Sequence, residues 1–164
     1  GYPPTVGYQD LREAIAHKLY TENQLVYEPH QIVVSTGAKQ ALANLLLSLL
    51  NPGDEVIVYS PYWVSYVGLI QLAGGKPVFI QGKQENNYEP TAAQLEQAIT
   101  SKTKAVLFSS PCNPTGLVFS KELLTDMAAV LKRHEQVVVI SDEIYEYINF
   151  TATFTSIGSL PGMQ

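Results

Sequence analysis

Asn113, Asp142 and Tyr145 are the residues of this chain best suited to gripping a polar aromatic ring. Each follows an apolar run. Residues 105–108 precede Ser110-Pro-Cys-Asn113-Pro114-Thr-Gly116, and residues 137–140 lead into Ser141-Asp142-Glu-Ile-Tyr145. An amide, a carboxylate and a phenol delivered side by side at strand ends make a pocket for such a ring. A carboxylate set against a pyridine nitrogen favours the protonated ring and turns it into an electron sink. A helix N-cap or a solvated loop carboxylate are the plainer accounts of Asp142. Metal binding is a poor account: zinc takes three or four N, S or O ligands, and His17, His30 and His134 are scattered over helices and a loop.

Two more segments have the types and places for ligand contact. Thr36-Gly37-Ala38-Lys39 lies between a short β-branched run and the start of a helix. Free N–H groups and the positive dipole end make such a place an anion site. An ordinary N-cap with a tight turn has the same pattern, but Lys39 adds a point charge that favours phosphate or carboxylate. Trp63 is the only tryptophan and follows Ser60-Pro61 in a strand-end turn. A lone tryptophan is more often core filling, and here a ring-stacking platform is the alternative. Cys112 has no activating neighbour and reads as a packing residue. Glu143 is expected to face away from Asp142 and receives no role.

The elements that must position these groups alternate in type, which predicts an α/β domain with a largely parallel sheet covered by helices. Helices are expected over residues 10–20, from Thr36-Gly37 to about Leu49, over 61–73, 91–99 and 120–134. Strands are expected over 32–35, 55–59, 76–80, 105–108 and 137–140. Leu42, Leu45, Leu46 and Leu49 form a wide apolar stripe on the second helix. Thr91 with Gln94 is a capping-box pattern, and Asn51-Pro52-Gly53-Asp54 is a turn signal. Continuous apolar strands such as Val137-Val-Val-Ile140 suit a sheet buried on both faces. Ligands of open α/β sheets bind at the carboxyl ends of strands, and all four suspicious segments fall there.

Composition sets the outer bounds. At 164 residues the chain is long enough for one well-buried domain. A net charge of -5 lacks the basic footprint of a nucleic-acid binder. No apolar run is long enough to span a bilayer. A single cysteine excludes an internal disulfide framework and fits a reducing, cytoplasmic compartment. The chain opens at Gly1-Tyr2-Pro3-Pro4 and ends at Leu160-Pro-Gly-Met-Gln164, a loop-like tail; both ends read as cuts within a longer protein.

Taken together, the motifs resemble class I/II aminotransferases of fold-type I, which use pyridoxal 5'-phosphate (PLP), and among them the bacterial aspartate aminotransferase subgroup. The resemblance rests on Tyr2-Pro-Pro-Thr-Val-Gly7, Leu11-Arg-Glu-Ala-Ile15, Thr36-Gly-Ala-Lys-Gln-Ala41, Pro52-Gly-Asp-Glu-Val56, Ser60-Pro-Tyr-Trp-Val-Ser-Tyr66, Ser110-Pro-Cys-Asn-Pro-Thr-Gly116 and Ser141-Asp-Glu-Ile-Tyr145. It implies that Asp142 holds the pyridinium nitrogen, that Asn113 and Tyr145 bond the phenolic oxygen, and that Trp63 stacks on the ring. Gly37, Ala38 and Lys39 would bind the phosphate. Tyr2 would reach the phosphate of a neighbouring subunit in a homodimer. Trp63 and Asn113 would also touch the substrate carboxylate, and Lys39 the distal carboxylate of a dicarboxylic substrate. Asn113-Pro114 is expected to be cis, and Ser60-Pro61 sits at another place where the family tends to be.

The resemblance also says what is missing. The family's Schiff-base lysine should lie beyond Gln164, and so should a C-terminal small domain carrying an arginine for the substrate α-carboxylate. Residues 1–164 then form part of a PLP-binding large domain, with 1–9 as an extended N-terminal arm, in a sheet that is mixed in the full enzyme. The implied activity is transfer of an amino group between aspartate, or a related amino acid, and a 2-oxo acid such as 2-oxoglutarate, with the isolated chain inactive. The other readings are a PLP-dependent lyase of the same fold and the non-enzymatic, PLP-sensing effector domain of a transcription regulator.

Overall fold

Strands buried on both sides need apolar residues at successive positions, and the chain supplies such runs between its helices. In the computed structural model, which describes residues 1–150 and 153–163, they form a four-stranded sheet. Its strands are β1 (Glu55–Ser60), β2 (Lys76–Gln81), β3 (Thr103–Ser109) and β4 (Val138–Asp142), ordered β2-β1-β3-β4 and all parallel. The helices are α1 (Gln9–Asn23), α2 (Ala38–Leu49), α3 (Ser65–Leu72), α4 (Ala92–Ala98) and α5 (Lys121–Leu131). Thr151, Ala152 and Gln164, the last residue of the loop-like tail, lie outside the described residues.

The pleat sends alternate residues to opposite faces. Ile57, Tyr59, Val106 and Phe108 pack with α4 and α5 through Leu95, Leu124 and Met127. Val56, Val58, Ala105, Leu107 and Ile140 pack with α2 and α3 through Leu42, Leu46, Tyr66 and Ile70. Burying one such aliphatic or aromatic side chain is worth roughly 1.5–3 kcal/mol. The α4 cap forms as its sequence requires: the Thr91 hydroxyl accepts from Gln94 N–H at 3.2 Å, and Thr91 N–H donates to Gln94 Oε1 at 2.9 Å.

Three expectations need correction. Residues 32–35 are not a strand: they join no ladder among the described residues, and Val33 is exposed. A β-branched run without a neighbour stays merely extended; among the described residues its one long-range backbone bond is Val34 N–H to the Val6 carbonyl at 3.0 Å, beside the local bonds of Ile32 N–H to the Pro29 carbonyl and of Gly37 N–H to the Ser35 carbonyl. Gly7 makes that crossing possible, because its φ is 96° and a Cβ there would lie 2.6 Å from Val34. Secondly, α3 begins at Ser65 rather than at Pro61, after a cis Ser60-Pro61 bond and the turn through Trp63. Thirdly, the α2 stripe is covered only in part: Leu42 and Leu46 are buried and Leu49 packs partly buried beside them, whereas Leu45 is exposed, since among the described residues nothing packs over that flank. The loop-like tail stays a turn over its described residues, and Leu160 within it is buried in the α5 cluster beside Ile157.

Candidate functional site

The site is built at the carboxyl ends of β1, β3 and β4. α2 starts at Gly37, whose φ of 85° and ψ of 161° suit glycine on backbone grounds alone. No side chain caps this helix. Gln40 and Ala41 N–H turn back to the Gly37 carbonyl at 3.1 and 3.2 Å, which leaves the first-turn amides of Ala38 and Lys39 for a ligand. Among the described residues Lys39 is the single lysine lining the cleft, and its Nζ stands 5.1 Å from the Trp63 ring centre.

The Trp63 indole meets Tyr66 edge-on, centroids 5.6 Å apart at 90°. Tyr66 is fully buried in the first turn of α3 and donates its hydroxyl to Asp142 Oδ2 at 2.7 Å. Burial, reinforced by that carboxylate, holds the Tyr66 phenol far above its ordinary pKa. Asp142 ends β4 on the same face as Ile140, two residues before it. Among the described residues its second oxygen receives only a long 3.4 Å contact from Ile144 N–H. Lys39, Trp63, Tyr66 and Asp142 thus form one continuous wall.

Asn113 hangs from a tightly pinned loop. Ser110 N–H donates to the Asp142 carbonyl at 3.2 Å, and Ser110 Oγ accepts from Phe119 N–H at 2.9 Å. Ser109 Oγ donates to the Pro111 carbonyl at 2.8 Å. Ser110-Pro111 and Asn113-Pro114 are both cis; the latter was expected from the sequence, the former was not. The turn carrying Tyr145 is anchored too. Glu143 Oε1 accepts from Ser141 Oγ at 2.8 Å and from buried Ser156 at 2.7 Å, and burial raises its carboxyl above the usual range. Glu146 pairs with Lys18 and accepts from Asn23 Nδ2 at 2.7 Å, tying the turn to α1. Glu143 therefore points away from the cleft and Asp142 into it.

Gly37, Ala38, Lys39, Trp63, Asn113, Asp142 and Tyr145 all line one open cleft of about 600 Å³, counting space continuous with solvent. Seven of the eight residues singled out by sequence are therefore neighbours. Tyr2 is not: it is wholly exposed and lines no part of the cleft. Sequence reasoning missed Tyr66 and Ser109, which complete the floor. The signal for Tyr66 was present, because Trp63 and Tyr66 are three residues apart at the start of a helix and a buried phenol must find an acceptor. Cys112 lies behind the cleft with its thiol 3.6 Å from the Pro61 carbonyl, a packing position. Among the described residues no group of acidic, histidine or cysteine side chains is placed to hold a metal.

An uncapped helix N-terminus, an indole wall, an amide, a phenol and a carboxylate thus meet at the parallel strand ends of an α/β domain, a donor set of the kind an anionic aromatic ligand needs. The chain belongs to the family described as aminotransferase class I and II, whose model matches residues 1–161. It is 49% identical over 145 residues to an aspartate aminotransferase of Bacillus sp. (strain YM-2), covering 88% of this chain and 37% of that protein. It is 45% identical over 163 residues to a bifunctional aspartate aminotransferase and glutamate/aspartate-prephenate aminotransferase of Petunia hybrida, covering 99% and 34%. The solved aspartate aminotransferase of Thermus thermophilus with maleate superposes with a TM-score of 0.94 at 43% identity, over 97% of this chain and 41% of that one. The chain thus spans 34% to 41% of the length of these relatives. Its fold is the PLP-transferase fold, and the family's enzymes depend on PLP. The donor set fits that cofactor: free amides for a phosphate, an aromatic wall for a ring, and one carboxylate oxygen without a strong partner for a ring N–H.

Proposed function

We propose that this chain is the cofactor-gripping part of a PLP-dependent aminotransferase that moves an amino group between aspartate, or a related amino acid, and a 2-oxo acid. Residues 1–164 are read as part of its large domain, with 1–9 as an arm. The Ala38 and Lys39 amides hold the phosphate at the start of α2, and Trp63 covers one ring face. Asp142 takes the ring nitrogen, while Asn113 and Tyr145 take the phenolic oxygen. When bound, PLP supplies the electron sink that loosens a substrate's Cα–H bond. Asp142 keeps the ring nitrogen protonated, and Lys39, Trp63 and Asn113 orient the substrate carboxylates. The observation that carries the reading is the convergence of seven sequence-chosen residues on one cleft.

The proton-moving lysine is placed in sequence beyond Gln164. Tyr2 is assigned to the site of a second copy in a homodimer, which agrees with its full exposure. The compartment is read as cytoplasmic; no helix of the described residues is long and apolar enough to cross a membrane. General acid–base catalysis contributes roughly 10²–10⁴-fold, so a chain without that lysine binds cofactor but does not turn over. Equilibrium dialysis and ³¹P NMR with PLP test the seat: reversible binding that Asp142→Ala and Trp63→Ala weaken is expected. No binding by the intact chain, or steady conversion of aspartate and 2-oxoglutarate by it, would overturn the respective half.

A further inference from the structure

The cleft holds one contact that the cofactor roles above do not use. Asp142 has two carboxylate oxygens, and they have unlike surroundings. Oδ2 accepts a short, charge-assisted hydrogen bond from Tyr66 at 2.7 Å, whereas among the described residues Oδ1 has only the 3.4 Å approach of Ile144 N–H. Tyr66 itself does not move freely. Its side chain is 1% exposed, its ring abuts Trp63 edge-on, and it lies in the cluster with Leu46, Val58 and Ile70. A second buried tyrosine makes the contrast. Tyr59 Oη, on the other face of the sheet, has no hydrogen-bond partner among the described residues.

We propose that Tyr66 is the positioning residue of the site: it pins Asp142 Oδ2, fixes the carboxylate plane, and leaves Oδ1 as the oxygen that meets a protonated ring nitrogen. This rests on the cofactor reading given above. A carboxylate at a strand end can rotate about its last bond, and a ring N–H is directional. One rigid donor removes that rotation before the ligand arrives. Burial keeps the phenol protonated across the working pH range, so it remains a donor whether or not the cleft is filled. In that reading the phosphate sits on the Ala38 and Lys39 amides at the start of α2, whereas the Tyr66 hydroxyl is bonded to Asp142.

The test uses Trp63 as a built-in reporter, since it is the only tryptophan of the chain and lines the cleft. Its fluorescence is followed while pyridoxamine phosphate or inorganic phosphate is titrated into the intact chain and into Tyr66→Phe, Tyr59→Phe, Asp142→Asn and the Tyr66→Phe/Asp142→Asn pair. Tyr66→Phe should bind pyridoxamine phosphate about tenfold more weakly and inorganic phosphate as well as the intact chain does. Its effect should shrink when Asp142 is already Asn, and the ring-nitrogen resonance of ¹⁵N-labelled pyridoxamine phosphate should shift when the hydroxyl is removed. Tyr59→Phe should change neither ligand's binding. Equal loss for both ligands, or an undiminished loss in the Asp142→Asn background, shows a purely packing role and overturns the proposal. Unchanged binding by Tyr66→Phe overturns it alone, whereas an intact chain that ignores pyridoxamine phosphate overturns the cofactor reading from which it starts. If Tyr66→Phe fails to fold, Asp142→Asn decides: a ring-nitrogen resonance identical to that of the intact chain overturns the proposal.

Discussion

The two faces of the sheet are finished differently. On the α4–α5 side the strand residues end in a closed aromatic knot: Tyr59 meets Phe108 and Phe119 edge-on at 6.3 and 5.8 Å, and the two phenylalanines stack at 5.2 Å. On the α2–α3 side the aromatic pair Trp63–Tyr66 ends at an open cleft and a carboxylate. The difference lies in what terminates the packing. One face closes on carbon, and its buried tyrosine hydroxyl has no partner among the described residues; the other passes its buried tyrosine hydroxyl to Asp142. The closed face is the better candidate for stability, the open one for binding.

The sharpest way to break that division is Phe108→Ala. Deleting a buried phenyl ring costs about 3–5 kcal/mol, and urea unfolding should register it while the folded fraction still binds pyridoxamine phosphate normally. Asp142→Ala should invert the pattern. It leaves the Tyr66 hydroxyl without its acceptor, at a cost of about 1–3 kcal/mol, and weakens ring binding. Should both variants lose binding and stability in parallel, the two faces are one cooperative unit and the division fails. Thr91→Ala removes the α4 cap and should cost about 1 kcal/mol in urea with no change at the cleft.

A smaller effect depends on pH. Burial raises the Glu143 carboxyl, so the folded chain holds that proton more tightly than the unfolded one. The penalty of the charged form is absent at acid pH. It grows as pH rises from the unfolded value, about 4.3, through the raised folded value, so stability contributed there falls with rising pH. Glu143→Gln should flatten that segment of the stability–pH curve, measured by thermal melts from acid to neutral pH. A curve of unchanged slope would show that Glu143 titrates alike in both states. Tyr59→Phe should have the least effect, within about 0.5 kcal/mol, because its hydroxyl makes no bond to lose.

Much of this architecture could be read from residues alone, for a physical reason. Strands such as Val56-Ile-Val58 and Ala105-Val-Leu-Phe108 are buried on both faces, so their signal is continuous and hard to mistake. The motif residues 37–39, 63, 113, 142 and 145 were legible as candidates because strand ends and helix starts have their own punctuation. Three things were not legible. Residues 32–35 have strand-forming side chains, yet a ladder needs a neighbour that local sequence does not name. The late start of α3 follows from the path of the chain through residues 61–64. Tyr66 was hidden because a tyrosine on a helix looks like core filling until its hydroxyl is traced to an acceptor 76 positions away.

The pairing of β3 with β4 sets Ser109 opposite Asp142 and Phe108 opposite Ser141. That alignment works as an address for charge. Asp142 and Glu143 are adjacent carboxylates with nearly the same chemistry, and only the parity of their positions separates them. Displacing β4 by a single residue would exchange the faces of all its side chains. Asp142 would then be turned from Tyr66 toward the side of Ser156, which now receives Glu143. Which carboxylate faces the cleft is thus settled by backbone hydrogen bonds, before either acid meets a ligand.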